Sequence, residues 1–359
     1  MQFSKTALFI STDEPLQISN ILIPVLREGQ ILVKNEYTTL CRSDLNTFSG
    51  KRTEKTPTIL GHEIVGRIEL FGNGTLETDV CGNQLQLGDR ITWAIFASDP
   101  ASEMAIKGIP QKAAGLFKYG HEKVTVESTL HGGLSQFTIL RKNTPVIKIS
   151  EKIPLPVAAT INCAVATVAG AMRLAGEISG KNVLVSGTGM LGVIACAMSK
   201  VKEAKTIFAL DIDAERLKNA KLFGADKTGL PAEMEKIEIS EPDTLKIFDV
   251  ILEFSGFPAT MEQTLDYMVV GGTAVWVGAT FPARSTRIEA EKIVRNLYTI
   301  KGLHNYNEDD LVTAVQFMEE NHNNFPFLSL VHDHFTLNEV NEAFQYAISE
   351  NPYRVGIKF

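Results

Sequence analysis

The stretch "VLVSGTGMLG", residues 183–192, sets Gly187, Gly189 and Gly192 in G-x-G-x-x-G spacing between an apolar strand and a helix start reading "MLGVIACAMSKV". In that context the spacing has a mechanical meaning. The first glycine permits a tight turn, the second lets backbone approach a pyrophosphate, and the third lets helix pack on strand, while helix N–H groups face the anion. The stretch therefore predicts a dinucleotide loop built from Gly187, Gly189, Met190, Leu191 and Gly192, with Arg216 in the next helical segment also counted as a cofactor contact. Without the strand before it and the helix after it, the glycine triplet would say little.

Downstream, "TIFALD" ends in Asp211, 211 − 187 = 24 residues after the first glycine. That is near the offset of an acid that accepts from ribose hydroxyls, and its charge repels a 2′-phosphate, so NAD is favoured over NADP. Asp213 is the close competitor, and a Rossmann-like domain that binds another nucleotide or none is the alternative reading. Around the loop, "NVLVSG", "TIFALD", "FDVILEF" and "GTAVWVG" alternate with helical stretches. Strand, helix, strand in repetition predicts a doubly wound parallel sheet, a Rossmann domain over 154–302. Residues 1–153 instead read as short β-like runs such as "GQILVKNEYTTL" and "RITWAIF", punctuated by Gly, Asn and Asp. Residues 303–359 carry the amphipathic "NEDDLVTAVQFMEEN", and their closing "YRVGIKF" resembles the first half more than the second. The fold class is α/β, with no internal repeat and no Ser/Gly-rich linker.

With 359 residues, 44% hydrophobic and 21% charged, the chain is long enough for two cores and is of globular composition. A net charge of −7 without a basic stripe speaks against nucleic acid as a partner. The N-terminus has only a four-residue apolar run, Ala7 to Ile10, so no signal peptide is expected. "VAATINCAVATVAGAMRLAG" is interrupted by Thr, Asn and Arg173 and reads as a buried helix, so no membrane partner is expected and a cytoplasmic location is the default. Four dispersed cysteines, at 41, 81, 163 and 196, suit a reducing compartment.

Three of the dispersed residues are good zinc donors: Cys41 in "CRSDLN", His62 in "GHEIVG" and Cys163 in "ATINCAVATV", with Glu63 beside the histidine. A catalytic zinc takes three protein ligands and leaves one position open, which a Cys₂His set satisfies. Alone, Cys41 would more often be a core residue, and spacing does not establish that the three converge.

The combination of "CRSDLN", "GHEIVG", "GDRI", "GGLSQF", a cysteine before the nucleotide domain and "SGTGMLG" resembles the zinc-dependent medium-chain dehydrogenase/reductase family over nearly the whole chain. The resemblance implies a GroES-like β-rich catalytic domain, 1–153 completed by a return of 303–359, plus a Rossmann domain, with the active site in the cleft between them. It implies Cys41, His62 and Cys163 as zinc ligands, Glu63 as an alternate or supporting carboxylate, Ser43 as the hydroxyl on the substrate oxygen, and Asp44 as the group orienting His62. The implied activity is NAD-dependent oxidation of a secondary alcohol, polyol or cyclitol, by a homodimer or homotetramer joined through the Rossmann sheet edge. The glycines of "VVGGTAVWVGAT" would shape the wall near the nicotinamide. A zinc-independent reductase of the same fold and a non-catalytic NAD-binding protein are the rival readings.

Two departures from the family pattern alter the expectations. The stretch "FASDPASEMAIKGIPQKAAGLFKYGHEK" has no cysteine where many members carry four, so one catalytic zinc and no structural zinc is expected. Packing through Phe117 and Tyr119, or partial mobility, is left to account for the lobe 97–123, whose His121 and Glu122 are expected to hydrogen-bond locally. Asn46 stands where many alcohol dehydrogenases have a proton-relaying histidine, and it has no titrating proton. "GIPQK", "LFKYGHE" and "GKRTEKTPTILGHE" further resemble a subgroup encoded alongside phosphonate catabolism and related cyclitol and polyol dehydrogenases. There Lys51 and Arg52 either meet an anionic or polyhydroxylated substrate or form a solvated pair. Cys196 reads as core, Cys81 as an incidental thiol, His131 as a strand-entry residue, and His332 with His334 as part of a surface strand.

Overall fold

Six apolar segments form a parallel sheet in the order Lys227–Gly229, Thr206–Leu210, Asn182–Ser186, Phe248–Glu253, Met268–Trp276 and Thr299–Gly302. Numbered along the sequence this is 3-2-1-4-5-6, the order of a doubly wound dinucleotide-binding sheet. Helices cover both faces of such a sheet, so its central strands are continuous apolar runs rather than alternating ones. Val183 to Val185 and Val250 to Leu252 are accordingly buried throughout, and Leu184, Leu210, Phe248, Ile251 and Tyr267 share one core. The computed structural model describes residues 2–12, 14–240 and 246–359, apart from the side chains of 237–240, 333 and 334.

This sheet belongs to one compact unit, Thr167–Tyr306; the other comprises Met1–Ala166 and Asn307–Phe359. The divisions at 166/167 and 306/307 stand beside sequence-based boundaries at 153/154 and 302/303. The first falls inside a helical run, where composition offers no break. That run consists of Leu155–Ala159, a π-helical turn Ile161–Val165 and Ala166–Ala175. By length and composition alone it could cross a membrane, yet 83% of its apolar window is buried inside the protein, where its first turns pack on the strands Ile31–Leu40 and Glu63–Phe71.

In the β-rich unit one curled sheet has the path Val331–Thr336, Arg354–Lys358, Ile31–Leu40, Glu63–Phe71, Arg90–Trp93 and Val146–Lys148, with Phe137–Leu140 also on Ile31–Leu40. The last strand of the chain thus pairs antiparallel with the strand that leads into Cys41, Val355 opposite Leu40. Phe9, Leu40, Phe344 and Val355 fill the core on one side of this junction. The cysteine-free lobe is ordered by packing. A two-residue ribbon, Phe96–Ala97 with Phe117–Lys118, closes it. Arg141 lies 3.8 Å over the Phe117 ring, and the buried Tyr119 hydroxyl bonds Thr144 (2.6 Å) and accepts from the Arg141 N–H (2.8 Å).

His131 is buried, with its ring edge-on to Phe117. Burial disfavours the imidazolium and pushes this side chain down to about 4 from 6.5, backbone hydrogen bonds opposing weakly. A group depressed in the folded state contributes stability above its unfolded value and loses it as pH falls toward the folded one. Between pH 7 and pH 4 the loss attributable to His131 reaches about 3 kcal/mol. Urea denaturation at both pH values should show a smaller pH-dependent loss in His131→Leu than in the parent; equal losses would contradict this assignment.

Candidate functional site

Cys41 ends the strand Ile31–Leu40 and caps the helix Arg42–Phe48, which places Ser43 and Asp44 in the first helical turn. The Asp44 carboxylate is fully buried. It accepts from the Cys41 N–H (2.9 Å, Oδ2) and the Gly61 N–H (3.1 Å, Oδ1), so it ties together the segments that supply Cys41 and His62. The same Oδ1 lies 3.4 Å from His62 Nδ1. Burial pushes the Asp44 carboxyl up, but His62 outweighs it and leaves the group below its ordinary value.

Asn162 performs a matching role from the π-helical turn. Its amide donates to the carbonyls of His62 (3.0 Å) and Trp93 (2.9 Å), and its Oδ1 accepts from the Ile64 N–H (3.3 Å). Cys163, the next residue, is thereby registered against His62. One donor atom each from Cys41, His62, Glu63 and Cys163 lies within 4.8 Å of every other, the only such group among the described residues. The Cys163 thiol hydrogen-bonds the Cys41 sulfur, which lowers Cys41 well below its ordinary value with help from Arg354 and His62, and raises Cys163. Two sulfurs and an imidazole in a buried cluster, with a carboxylate at its edge, form a donor set that suits zinc.

Glu63 is held from elsewhere. Arg354, on the last strand, donates to both of its oxygens (2.7 and 2.8 Å), and Thr39 Oγ1 also donates to it. The Arg354 guanidinium lies 3.6 Å from Cys41 Sγ as well. Burial raises the Glu63 carboxyl above its ordinary value, against the pull of Arg354. Ser43 Oγ sits 3.4 Å from His62 Nε2.

His121 differs from its expected local bonding: its Nδ1 bonds Glu54 Oε1 (2.9 Å), 67 residues earlier, and its ring lies 5.2 Å from that of His62. Arg52 Nε meets the same Glu54 oxygen at 2.8 Å, while the Arg52 side chain stays 40% exposed. His332 stacks on Tyr346 at 4.2 Å, away from the donor group, and the His334 side chain lies outside the described residues. Cys81 is exposed, and Cys196 is buried with its thiol pushed up to about 12 by burial.

Sequence reasoning did not single out Arg354, Thr39 or Asn162. The one available signal was a polar asparagine inside an apolar run. Replacing Arg354 by Met strands a buried carboxylate beside the Cys41 sulfur, so we expect a loss of about 3–5 kcal/mol in denaturant unfolding. Arg354→Lys should recover only part, because an ammonium does not match the fork of two bonds.

In the other unit, Gly187 has φ +86°, and a Cβ there would lie 2.7 Å from the Ser255 nitrogen. A Cβ on Gly192 would come within 2.0 Å of the Gly187 carbonyl oxygen, so the helix Met190–Val201 starts closer to the strand than any side chain allows. Gly189 caps that helix, with an Arg216 guanidinium nitrogen 3.3 Å from where its Cβ would be. Asp211 accepts from the Thr188 N–H (2.6 Å) and hydroxyl (3.0 Å), whereas Asp213 caps the next helix by accepting from the N–H groups of Glu215 and Arg216. Of the two acids, Asp211 therefore faces the glycine loop.

The alcohol dehydrogenase GroES-like domain model matches residues 27–151, and the zinc-binding dehydrogenase model matches residues 191–320. The L-threonine 3-dehydrogenase of Ruegeria pomeroyi is 25% identical over 338 residues, 92% of this chain and 93% of that protein. An alcohol dehydrogenase from Thermotoga maritima superposes with a TM-score of 0.91 at 24% identity, covering 100% of both chains. The L-idonate 5-dehydrogenase of Escherichia coli does so at 0.85 and 19%, covering 100% of this chain and 99% of the other. The solved structures share the fold, the GroES-like match contains Cys41, His62 and Glu63 while Cys163 falls between the two matched segments, and the chain belongs to the zinc-dependent medium-chain dehydrogenase family.

Proposed function

We propose that this protein oxidises a secondary alcohol or polyol with NAD, giving the carbonyl compound, NADH and a proton. The observation that carries this reading is the convergence of Cys41, His62, Glu63 and Cys163, drawn from three distant segments, within 4.8 Å of one another. Cys41, His62 and Cys163 would hold zinc, and Gly187 to Gly192 with Asp211 and Arg216 would hold the dinucleotide. When bound, zinc supplies Lewis-acid polarisation of an alcohol oxygen and the nicotinamide accepts hydride.

The chain's own groups divide the remaining tasks. Ser43, with its hydroxyl 3.4 Å from His62 Nε2, accepts the hydrogen bond of the substrate hydroxyl and offers its proton a first step outward. Asp44 fixes the His62 segment through the Gly61 N–H. Arg354 keeps Glu63 ionically paired, so the carboxylate supports the cluster without competing for substrate. Asn46, in the same helix as Ser43 and Asp44, carries an amide with no titrating proton to pass on. Asp211 accepts from Thr188 at Oδ2 and from the Asp213 N–H at Oδ1 (3.0 Å), leaving Oδ1 one acceptor site for a ribose hydroxyl and a charge that opposes a 2′-phosphate.

Cys41→Ala and His62→Ala should each lose bound zinc, by metal analysis of the purified protein, together with NAD reduction across a panel of simple alcohols, polyols, cyclitols and phosphonate-bearing alcohols. A folded, metal-free variant that keeps turning over would remove zinc from the reaction. Asp211→Asn should lower the ratio of kcat/KM for NAD over NADP by tenfold or more, about 1.4 kcal/mol; an unchanged ratio would detach Asp211 from the ribose.

A further inference from the structure

We propose that His121, held by Glu54, is a positioning residue for the metal ligand His62, acting through the packing of one imidazole on the other. The idea rests on the zinc reading above and extends it to a residue that the ligand set does not contain.

A ligating imidazole must keep its plane aimed at the ion, and the torsion that turns the ring is soft for histidine. Ordinarily a hydrogen bond to the second ring nitrogen supplies that restraint. Here the in-plane partner, Asp44 Oδ1, lies at 3.4 Å from Nδ1, beyond the range of a well-formed N–H···O bond. The face of the ring is restrained instead. The His121 ring centroid is 5.2 Å from that of His62, with the planes inclined by 34°. His121 cannot easily swing away, since its Nδ1–H donates to Glu54 at 2.9 Å. Both side chains are about nine-tenths buried, and Arg52 fixes the same Glu54 oxygen at 2.8 Å. Arg52, Glu54, His121 and His62 thus form a continuous row from the surface to the donor cluster.

The row also joins two parts of the chain that flank the site. Arg52 and Glu54 lie in the segment between the helix Arg42–Phe48 and the strand Glu63–Phe71, and His121 stands three residues after the ribbon strand Phe117–Lys118, within the cysteine-free lobe. The buried Tyr119 hydroxyl, bonded to Thr144, and the Phe117 ring under the exposed Arg141 side chain anchor that lobe. A rigid lobe gives His121 a fixed base from which to bear on His62.

Zinc affinity tests this directly, by competition with a chromogenic chelator on purified apo-protein, with the visible spectrum of the cobalt-substituted protein as a second readout. His121→Ala should weaken zinc roughly 10- to 100-fold, the range seen when a partner of a ligating histidine is lost, and should shift the cobalt bands. His121→Phe keeps a ring against His62 and should recover most of that loss, whereas Glu54→Ala, which leaves the ring unheld, should fall between. The proposal is overturned if His121→Ala binds zinc as tightly as the parent, or if His121→Phe is as weak as His121→Ala, which would show that ring packing is not what matters. A parent protein that binds no zinc would instead overturn the zinc reading, and this inference with it. Melting of the apo forms identifies any variant that has merely lost its fold.

Discussion

A single buried carboxylate joins the two segments on which the donor cluster depends. Asp44 accepts from the backbone N–H of Cys41 and from that of Gly61, the residue before His62. A carboxylate with no exposure to water is tolerated only when its oxygens are satisfied, so this pairing leaves little freedom to the loop between residues 41 and 62. The geometry of the first two candidate ligands follows from it. Asn162 then uses three hydrogen bonds, to the backbone of His62, Ile64 and Trp93, to set the third beside them.

Around this frame lies a second layer of charge. The fork of Arg354 on Glu63 connects the last strand of the chain to the first residue of the strand after His62, and its guanidinium also reaches the Cys41 sulfur. A buried ion pair of this kind contributes little net stability, because desolvation offsets attraction, yet losing either partner is costly. Its effect is to make the C-terminal return a condition of the site: Arg354 reaches Glu63 only because Val355 pairs with Leu40. The nucleotide loop has a comparable economy. Close backbone approaches exclude side chains at Gly187 and Gly192, and Asp211 braces the loop through Thr188.

Much of this was legible before any coordinates. Strand, glycine loop and helix at 183–192 lie next to one another in sequence, so their meaning is local, and alternation of apolar strands with helices shows the parallel sheet directly. Cys41, His62, Glu63 and Cys163 were readable as a family pattern, although nothing in their spacing requires that they meet. The division at 166/167 was not legible, since it falls within one continuous helical run. Nor was the bond between His121 and Glu54: side chains 67 residues apart declare no partnership in a linear pattern, and a local bond was the natural expectation. Offset placed Asp211 ahead of Asp213 as the ribose candidate; that Asp213 caps the next helix while Asp211 bonds Thr188 was not legible in the sequence.

By itself the sequence determined what depends on neighbours in the chain: the period of hydrophobic residues, the glycines that a tight turn demands, and the residue types able to bind a metal or a dinucleotide. The tertiary structure decided what depends on distance through space. It brought Arg354 to Glu63, Asn162 to His62 and His121 to the face of the same imidazole. The reason is physical. Backbone conformation and apolar periodicity are set over a few residues, whereas burial of charge is compensated only by whichever partner the completed fold carries alongside, and that partner can come from any point along the chain.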